Sequence, residues 1–454
     1  MPDDKVPLWA GECYHSRVKL EAFVKKSALC LVLLVTCSAF ALERTEKVIW
    51  SFGSVHNDGV NPIGSLVADR AGNMYGTTQG GGGNLNCAGY TTGGGCGTVF
   101  ELSLHPDGTW VETILYNFCV NYSGTECLDG MIPEAGLVFD KSGNLYGTTF
   151  RGGAMNGGLV FMLSRPQFPG GTWAETVLYD FCRDIDCLDG ATPRSQLVFD
   201  SLGNLYGTTV SGGDHHANDH DLGGVVFELS PNSQGWTENV LYNFCSLGVG
   251  TNFCPDGVAP YAGVTFDKTG NLYGTTTTGG EMNSLGGGTV YELSPTSSGW
   301  TERVVLAFPN WGNGLPYAPV SFDPNGNLYS TTYSSGGLGS VFRLDVATGI
   351  EHRFLFNKTD GANPMAGLLV DPTRRLIYGT TTASANGATG LVFQISSSGK
   401  ETILYQFCQQ LNCADGQSPM SGVIEDRSGY LFGTTEFGGS IANGIYGAVF
   451  VIDP

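Results

Sequence analysis

GAVFVIDP, residues 447–454, reads as a β-strand: Gly opens it, and β-branched and aromatic side chains fill it. It is the third strand of the last copy of a repeat, and in the earlier copies a fourth strand follows. The counterpart of that strand lies at the other end of the chain. TEKVIWSF, residues 45–52, aligns without a gap on VETILYNF, residues 111–118, which sets Glu46 on Glu112, Trp50 on Tyr116 and Phe52 on Phe118.

The repeat is marked by GNLYGTT at 143–149, 203–209 and 270–276, with variants at 72–78, 326–332, 375–381 and 429–435, making seven copies. Their central aromatics are Tyr75, Tyr146, Tyr206, Tyr273, Tyr329, Tyr378 and Phe432, spaced 71, 60, 67, 56, 49 and 54 residues apart. Each copy holds four strand-like segments. In the second they are GLVFD (136–140), NLYGTT (144–149), GLVFMLS (158–164) and AETVLYDF (174–181), bounded by Gly, Pro, Asn or Asp. Self-similar four-stranded meanders of this period build rings or solenoids. The phase offset decides between them, because an open solenoid has no reason to divide one unit between the two termini. The expected fold is all-β: a seven-bladed β-propeller of four-stranded blades, whose N-terminal strand completes the last blade and so leaves no open sheet edge.

Strand one ends in Asp in all seven copies: Asp69, Asp140, Asp200, Asp267, Asp323, Asp371 and Asp426. In DKSGN and its relatives the Asp side chain can accept from turn N–H groups while Gly supplies a positive φ, so these carboxylates read as hairpin turns rather than as a metal ring. Composition agrees with an all-β chain: 68 Gly and only 14% charged residues, with no convincing amphipathic helix beyond residue 45.

The stretch KKSALCLVLLVTCSAFALE places Lys25 and Lys26 before an apolar run and then Ala39-Phe40-Ala41, the pattern of a secretory signal peptide. Residues 1–41 are therefore expected to be a signal peptide with a polar N-terminal extension, with translation starting downstream near Val18, and residues 42–454 to be the propeller. A competing reading takes Leu34-Val35-Thr36-Cys37 as a lipoprotein box, although Thr fits poorly before the Cys. No other run is long enough to span a membrane.

Removing residues 1–41 takes five of 22 basic and four of 42 acidic residues, leaving 17 − 38 = −21. A field of that sign opposes nucleic acid and anionic lipid. Ten cysteines remain, in five close pairs: Cys87 and Cys96, Cys119 and Cys127, Cys182 and Cys187, Cys245 and Cys254, Cys408 and Cys413. Even number and short spacing predict five local disulfides made in an oxidising compartment, hence a secreted, cell-surface or periplasmic protein.

The set D-x-x-G-N-L-Y-G-T-T, a Gly-rich loop, G-x-V-F-E-L-S and W-T-E-x-V-L-Y-x-F resembles the tandem repeat of bacterial exported proteins called GloVer-containing, described as choice-of-anchor proteins. The resemblance covers nearly all of residues 45–454. It implies an extracellular repeat protein of no assigned activity. Members carry different cell-surface anchoring tails, and this sequence departs from the anchored ones in that it ends at the last blade.

In a propeller the strand two-to-three loops share one face with the strand-four exits, and here those exits carry [Asp or Asn]-Gly at Asp58, Asp129, Asp189, Asp256, Asn313, Asp360 and Asp415. Four of the five expected disulfides sit just before them. Variable loops on a rigid scaffold are where binding is usually placed. The least repeated stretch is GGDHHANDHDLGG (212–224), whose Asp214, His215, His216, Asp219, His220 and Asp221 mix imidazole and carboxylate as zinc or a similar ion requires. Its plain alternative is a solvated insertion. Calcium on the Asp-rich face is a second metal candidate. Aromatic binding candidates are Tyr90, in the loop pinned by Cys87 and Cys96, and Trp311 and Tyr317 in FPNWGNGLPY. Trp110, Trp173, Trp236 and Trp300 precede strand four and are expected to pack the opposite-face hairpins.

No Gly-x-Ser-x-Gly, HExxH, P-loop or dinucleotide fingerprint occurs. The first expectation is thus a monomeric, non-catalytic ligand-binding propeller for an extracellular glycan or protein. The alternatives are an enzyme acting on a polymer such as polysaccharide, or a structural and adhesive envelope protein. Acids or His converging in the channel mouth and breaking the sevenfold pattern would favour the enzyme.

Overall fold

The computed structural model describes residues 45–453 except 85–86, 88–90, 92–93, 169, 184–185, 215–222, 249–253, 281–285, 358, 385–386, 388 and 441–444, and the side chain of Trp311. Among them, seven four-stranded antiparallel sheets follow one another. Blade two runs Val138–Phe139, Leu145–Thr149, Leu159–Ser164 and Ala174–Asp180, each strand paired with the next. The last sheet has the order expected from the phase offset. Ala448–Ile452 lies between Leu431–Thr435 and the N-terminal strand Glu46–Ser51, with Val48 opposite Phe450 and Glu46 opposite Ile452. The protein is a seven-bladed β-propeller, and no helix in the described residues is long and apolar enough to cross a membrane.

Burial grades outward along each blade. The second strand, LYGTT in blade two, is buried throughout, whereas the fourth alternates between exposed and covered positions. The second strand is sandwiched between neighbouring blades, so every position in it serves packing. Gly147 is required there because a Cβ would lie 2.7 Å from Cζ of Phe161 on the adjacent strand. The Thr that follows works across the interface: Thr148 Oγ1 donates to the Ser195 carbonyl of the next blade at 3.2 Å, and Thr77, Thr208, Thr275 and Thr380 do likewise at 2.8–3.0 Å.

An aromatic contact crosses all seven interfaces. The last Phe of strand four meets the Phe or Tyr of the next blade's third strand, edge on, in Phe118–Phe161, Phe181–Phe227, Phe244–Tyr291, Phe308–Phe342, Phe356–Phe393 and Phe407–Phe450. Phe52, from the N-terminal strand, closes the ring on Phe100 at 5.1 Å. Each such pair contributes about 0.5–1.5 kcal/mol beyond its buried area.

The hairpin reading of the Asp ring holds. Asp140 Oδ1 accepts from Ser142 N at 2.8 Å and Asn144 N at 2.9 Å, while Gly143 takes φ 86°. The tryptophans lie on the hairpin face, and they also reach across the interface: Trp173, Trp236 and Trp300 lie edge on to Tyr75, Tyr146 and Tyr206 of the preceding blade, and Trp110 to Phe432.

A second cross-blade device had no sequence expectation. Five of the six Asp of the Asp-Gly exits are buried, Asp189 being partly so, and four of them accept from the Tyr of their own strand four: Asp129 from Tyr116, Asp189 from Tyr179, Asp256 from Tyr242 and Asp415 from Tyr405, at 2.7–3.0 Å, while Asp58 and Asp360 accept from the backbone N–H of Ser54 and Asn357. Against each Asp stands the Glu of the next blade's strand four. The pairs are Asp58 with Glu112, Asp129 with Glu175, Asp189 with Glu238, Asp256 with Glu302, Asp360 with Glu401 and Asp415 with Glu46. Burial first, and the facing Asp second, push these Glu carboxyls up, to about 7 for Glu175, Glu238 and Glu302 and about 8 for Glu46 and Glu401. Since Asp takes the N–H and O–H donors, Glu is the partner that keeps the proton. The seventh interface differs in both members. Its exit carries Asn313, and there Glu351 pairs with Arg353, whose guanidinium donates to the Asn313 carbonyl at 3.1 Å.

Candidate functional site

The first strands of the blades and the segments leading into them line a central channel of about 860 Å³. At its mouth stands the residue that follows the Pro of each exit, Asp-Gly-x-x-Pro in six blades and the shorter Asn313-Gly314-Leu315-Pro316 in the seventh. The scaffold around it repeats, but this position reads Ile63, Glu134, Arg194, Tyr261, Tyr317, Met365 and Met420. The residue after each second strand, such as Gln79, Phe150, Tyr333 and Glu436, is equally variable.

The charged members meet. Glu134 and Arg194 form an ion pair at 2.5 Å with side chains only 6% and 21% exposed. Gln79 Nε2 donates to Glu134 Oε1 at 2.8 Å, and Arg194 donates to the Tyr261 hydroxyl. The guanidinium lies 3.9 Å from the Phe150 ring and 4.9 Å from the Tyr261 ring, so it is held between two aromatic faces. Burial raises the Glu134 carboxyl, against the opposing pull of Arg194 and Gln79. Burial, and then the nearby Glu134, raise Glu436 to about 7. Next round the ring, Tyr317 sits edge on between Tyr261 at 5.2 Å and Tyr333 at 5.7 Å. Met365, Met420 and Ile63 complete the circle.

The mouth is therefore polarised: carboxyls and a guanidinium on one side, tyrosines beside them, thioethers and an aliphatic side chain opposite. That arrangement can hold a ligand with a hydrogen-bonding edge and a flat apolar face. It is poorly arranged for paired-carboxylate chemistry, because both Glu134 oxygens are already engaged, by Arg194 and Gln79. Sequence reasoning named Tyr317 as an aromatic candidate without locating it at the mouth, and did not name Glu134, Arg194, Tyr261 or Glu436. The available signal was variation at one fixed position of an otherwise constant motif.

Tyr90 and five of the loop residues, His215, His216, Asp219, His220 and Asp221, lie outside the described residues. Asp214 is exposed, with its N–H donating to Asn243 Oδ1 at 2.9 Å. Trp311 opens a single turn, Trp311–Asn313, before the exit that leads to Tyr317. The five cysteine pairs are disulfides: Cys87–Cys96, Cys119–Cys127, Cys182–Cys187, Cys245–Cys254 and Cys408–Cys413. Two of them converge between blades one and two, where Sγ of Cys87 approaches Sγ of Cys127 at 3.9 Å.

The model of the Gloeobacter/Verrucomicrobia repeat matches residues 85–317 and 284–454. The chain belongs to this repeat family. No curated protein matches it. Among solved structures, the repeat protein is similar to a puromycin hydrolase S511A mutant complexed with PGG, at 14% identity over 82% of this chain and 50% of that one, with a TM-score of 0.48. It is also similar to a Trypanosoma rangeli sialidase, at 12% identity over 77% and 57% of the two chains and a TM-score of 0.39. A nidogen/laminin complex matches at 16% identity over 68% and 89%, with a TM-score of 0.38. Likenesses this distant transfer no activity to the Gloeobacter/Verrucomicrobia repeat protein.

Proposed function

We propose that this repeat protein is an exported, non-catalytic interaction propeller, secreted or held at the cell surface, that takes an extracellular glycan or protein group at the channel mouth. The observation that carries the reading is the ring Ile63, Glu134, Arg194, Tyr261, Tyr317, Met365 and Met420, which breaks sevenfold symmetry while the frame around it keeps it. The five disulfides, the leader-like residues 1–41 and the family support export. The test is a screen of immobilised glycans and envelope extracts with the purified protein beside Tyr317→Ala and Arg194→Ala. Ligands lost in both variants support the reading; ligands indifferent to both sink it.

One observation favours an enzyme instead: Glu436, at about 7, stands beside a second carboxyl. Hydrolysis or elimination of a polysaccharide that disappears in Glu436→Gln would establish that reading. The blade-three loop is carried forward as the metal candidate. Stoichiometric zinc lost on replacing His215, His216 and His220 by Ala would support it, and metal-free protein in both forms would remove it.

A further inference from the structure

Three of the seven interfaces lack the Trp that elsewhere covers the preceding blade's aromatic, and at one of them a groove of about 800 Å³ opens between blades five and six. In blade six the strand three-to-four hairpin turns early, at Ser396 to Lys400, so that Gly399 stands near the Trp position with open space around it. At this interface Tyr329 is left partly open, whereas Tyr273 and Tyr378, which also lack a covering Trp, stay buried. Of the seven central aromatics Tyr329 alone is not buried; the other six are at most 5% exposed.

The groove differs in charge from the rest of the molecule. Arg343 occupies the strand-three position that holds Glu101, Glu228 and Glu292 in three other blades. It donates through Nη2 to Asn327 Oδ1 at 2.9 Å, and its Nε is buried without a partner. Arg375 lines the opposite wall. It takes the position of the hairpin Gly and holds φ 57°, a left-handed conformation that an Arg adopts at a cost of about 1 kcal/mol or more. His352 faces Arg343 across the strand pair. The acids nearby are committed: Asp323 accepts from Asn325, Asn327 and Tyr329, and Asp371 from Arg374. In a chain with 22 basic and 42 acidic residues, a groove lined by three arginines, of which Arg353 is paired with Glu351, by one histidine and by the half-open face of Tyr329 is a departure in both charge and shape.

We propose that this groove is a second binding site, separate from the channel mouth, for a carboxylate-bearing sugar of the uronic acid class. Guanidinium groups are suited to carboxylates by their planar fork. Tyr329 and Phe354 offer flat faces for a sugar ring, and Asn325 and Ser398 offer hydrogen bonds to its hydroxyls. The volume falls in the range of small-ligand sites.

The test is titration calorimetry of the purified full chain with a uronic acid trisaccharide and with its carboxyl-reduced, neutral counterpart. The expected result is one-to-one binding of the acidic form alone, weakened about tenfold or more in Arg343→Glu and in Arg375→Gly. Both substitutions restore what other blades carry. Glu at 343 can accept from Tyr329 as Glu228 does from Tyr206 at 2.9 Å, so folding should survive and the melting temperature provides the control. In the unaltered protein, NMR resonances of the His352 ring should shift during the titration, which needs no variant. Tyr317→Ala should leave the affinity unchanged. No binding of the acidic trisaccharide, equal binding of the neutral one, full affinity in the folded double variant, or loss in Tyr317→Ala would each overturn the proposal.

Discussion

At the residue scale, the channel mouth rests on one buried ion pair. Truncating Arg194 leaves the Glu134 carboxyl buried without its cation, and breaking a pair in this way is far more costly than forming it is favourable. Arg194→Ala is expected to lower stability by about 3 kcal/mol, read by urea denaturation, whereas Glu134→Gln, which keeps the Gln79 contact without the charge, costs less. A loss under about 0.5 kcal/mol in Arg194→Ala would mean that water reaches Glu134. The Trp–Tyr contacts make a parallel case. Trp173→Ala removes the cover of Tyr75 and should cost about 2 kcal/mol, less than a fully buried Trp because Trp173 is partly exposed.

At the element scale, the N-terminal strand is the closure. Its contributions are the ladder to Ala448–Ile452 and the Glu46–Asp415 pair, which tie the N-terminal strand to the last two blades, and the Phe52–Phe100 contact, which ties it to the first. A chain lacking residues 45–52 keeps six whole blades and exposes the edge of Ala448–Ile452. It is expected to lose cooperative melting and to self-associate, read by calorimetry and by light scattering. A soluble, cooperatively melting truncation would show that the ring does not need its seam. The GNLYGTT strand was legible in sequence because Gly147 and Thr148 repeat for local reasons: one avoids Phe161 and the other donates to the next blade. The outer strand was legible as a strand but not as half of a carboxyl pair, because its partner Asp lies in a different copy.

At the scale of the whole molecule, the carboxyl pairs make stability depend on pH. In the folded protein Glu175, Glu238 and Glu302 titrate at about 7 and Glu46 and Glu401 at about 8, against 4.5 for an ordinary Glu. The folded state thus holds protons that the unfolded chain releases above about pH 4.5. The stabilisation is complete below that pH and is lost as pH rises through 7 and 8. The melting temperature should fall by several degrees between pH 5 and pH 9, and the fall should shrink in a variant carrying Gln at Glu46, Glu175, Glu238, Glu302 and Glu401. A flat profile in the unaltered protein would show that the pairs hold no proton.

The sequence by itself determined the number of blades, their meander, the hairpin turns and the division of one blade between the two termini. All of these follow from patterns read within a copy or between copies in register. Only the tertiary structure decided which residues of different blades meet. Glu134 with Arg194 and Tyr261, each Asp-Gly exit with the next blade's Glu, and the arginines around Tyr329 are contacts between residues tens of positions apart. Ring closure and blade spacing set such distances. Periodicity reports what each blade shares, and these sites are built from what single blades change.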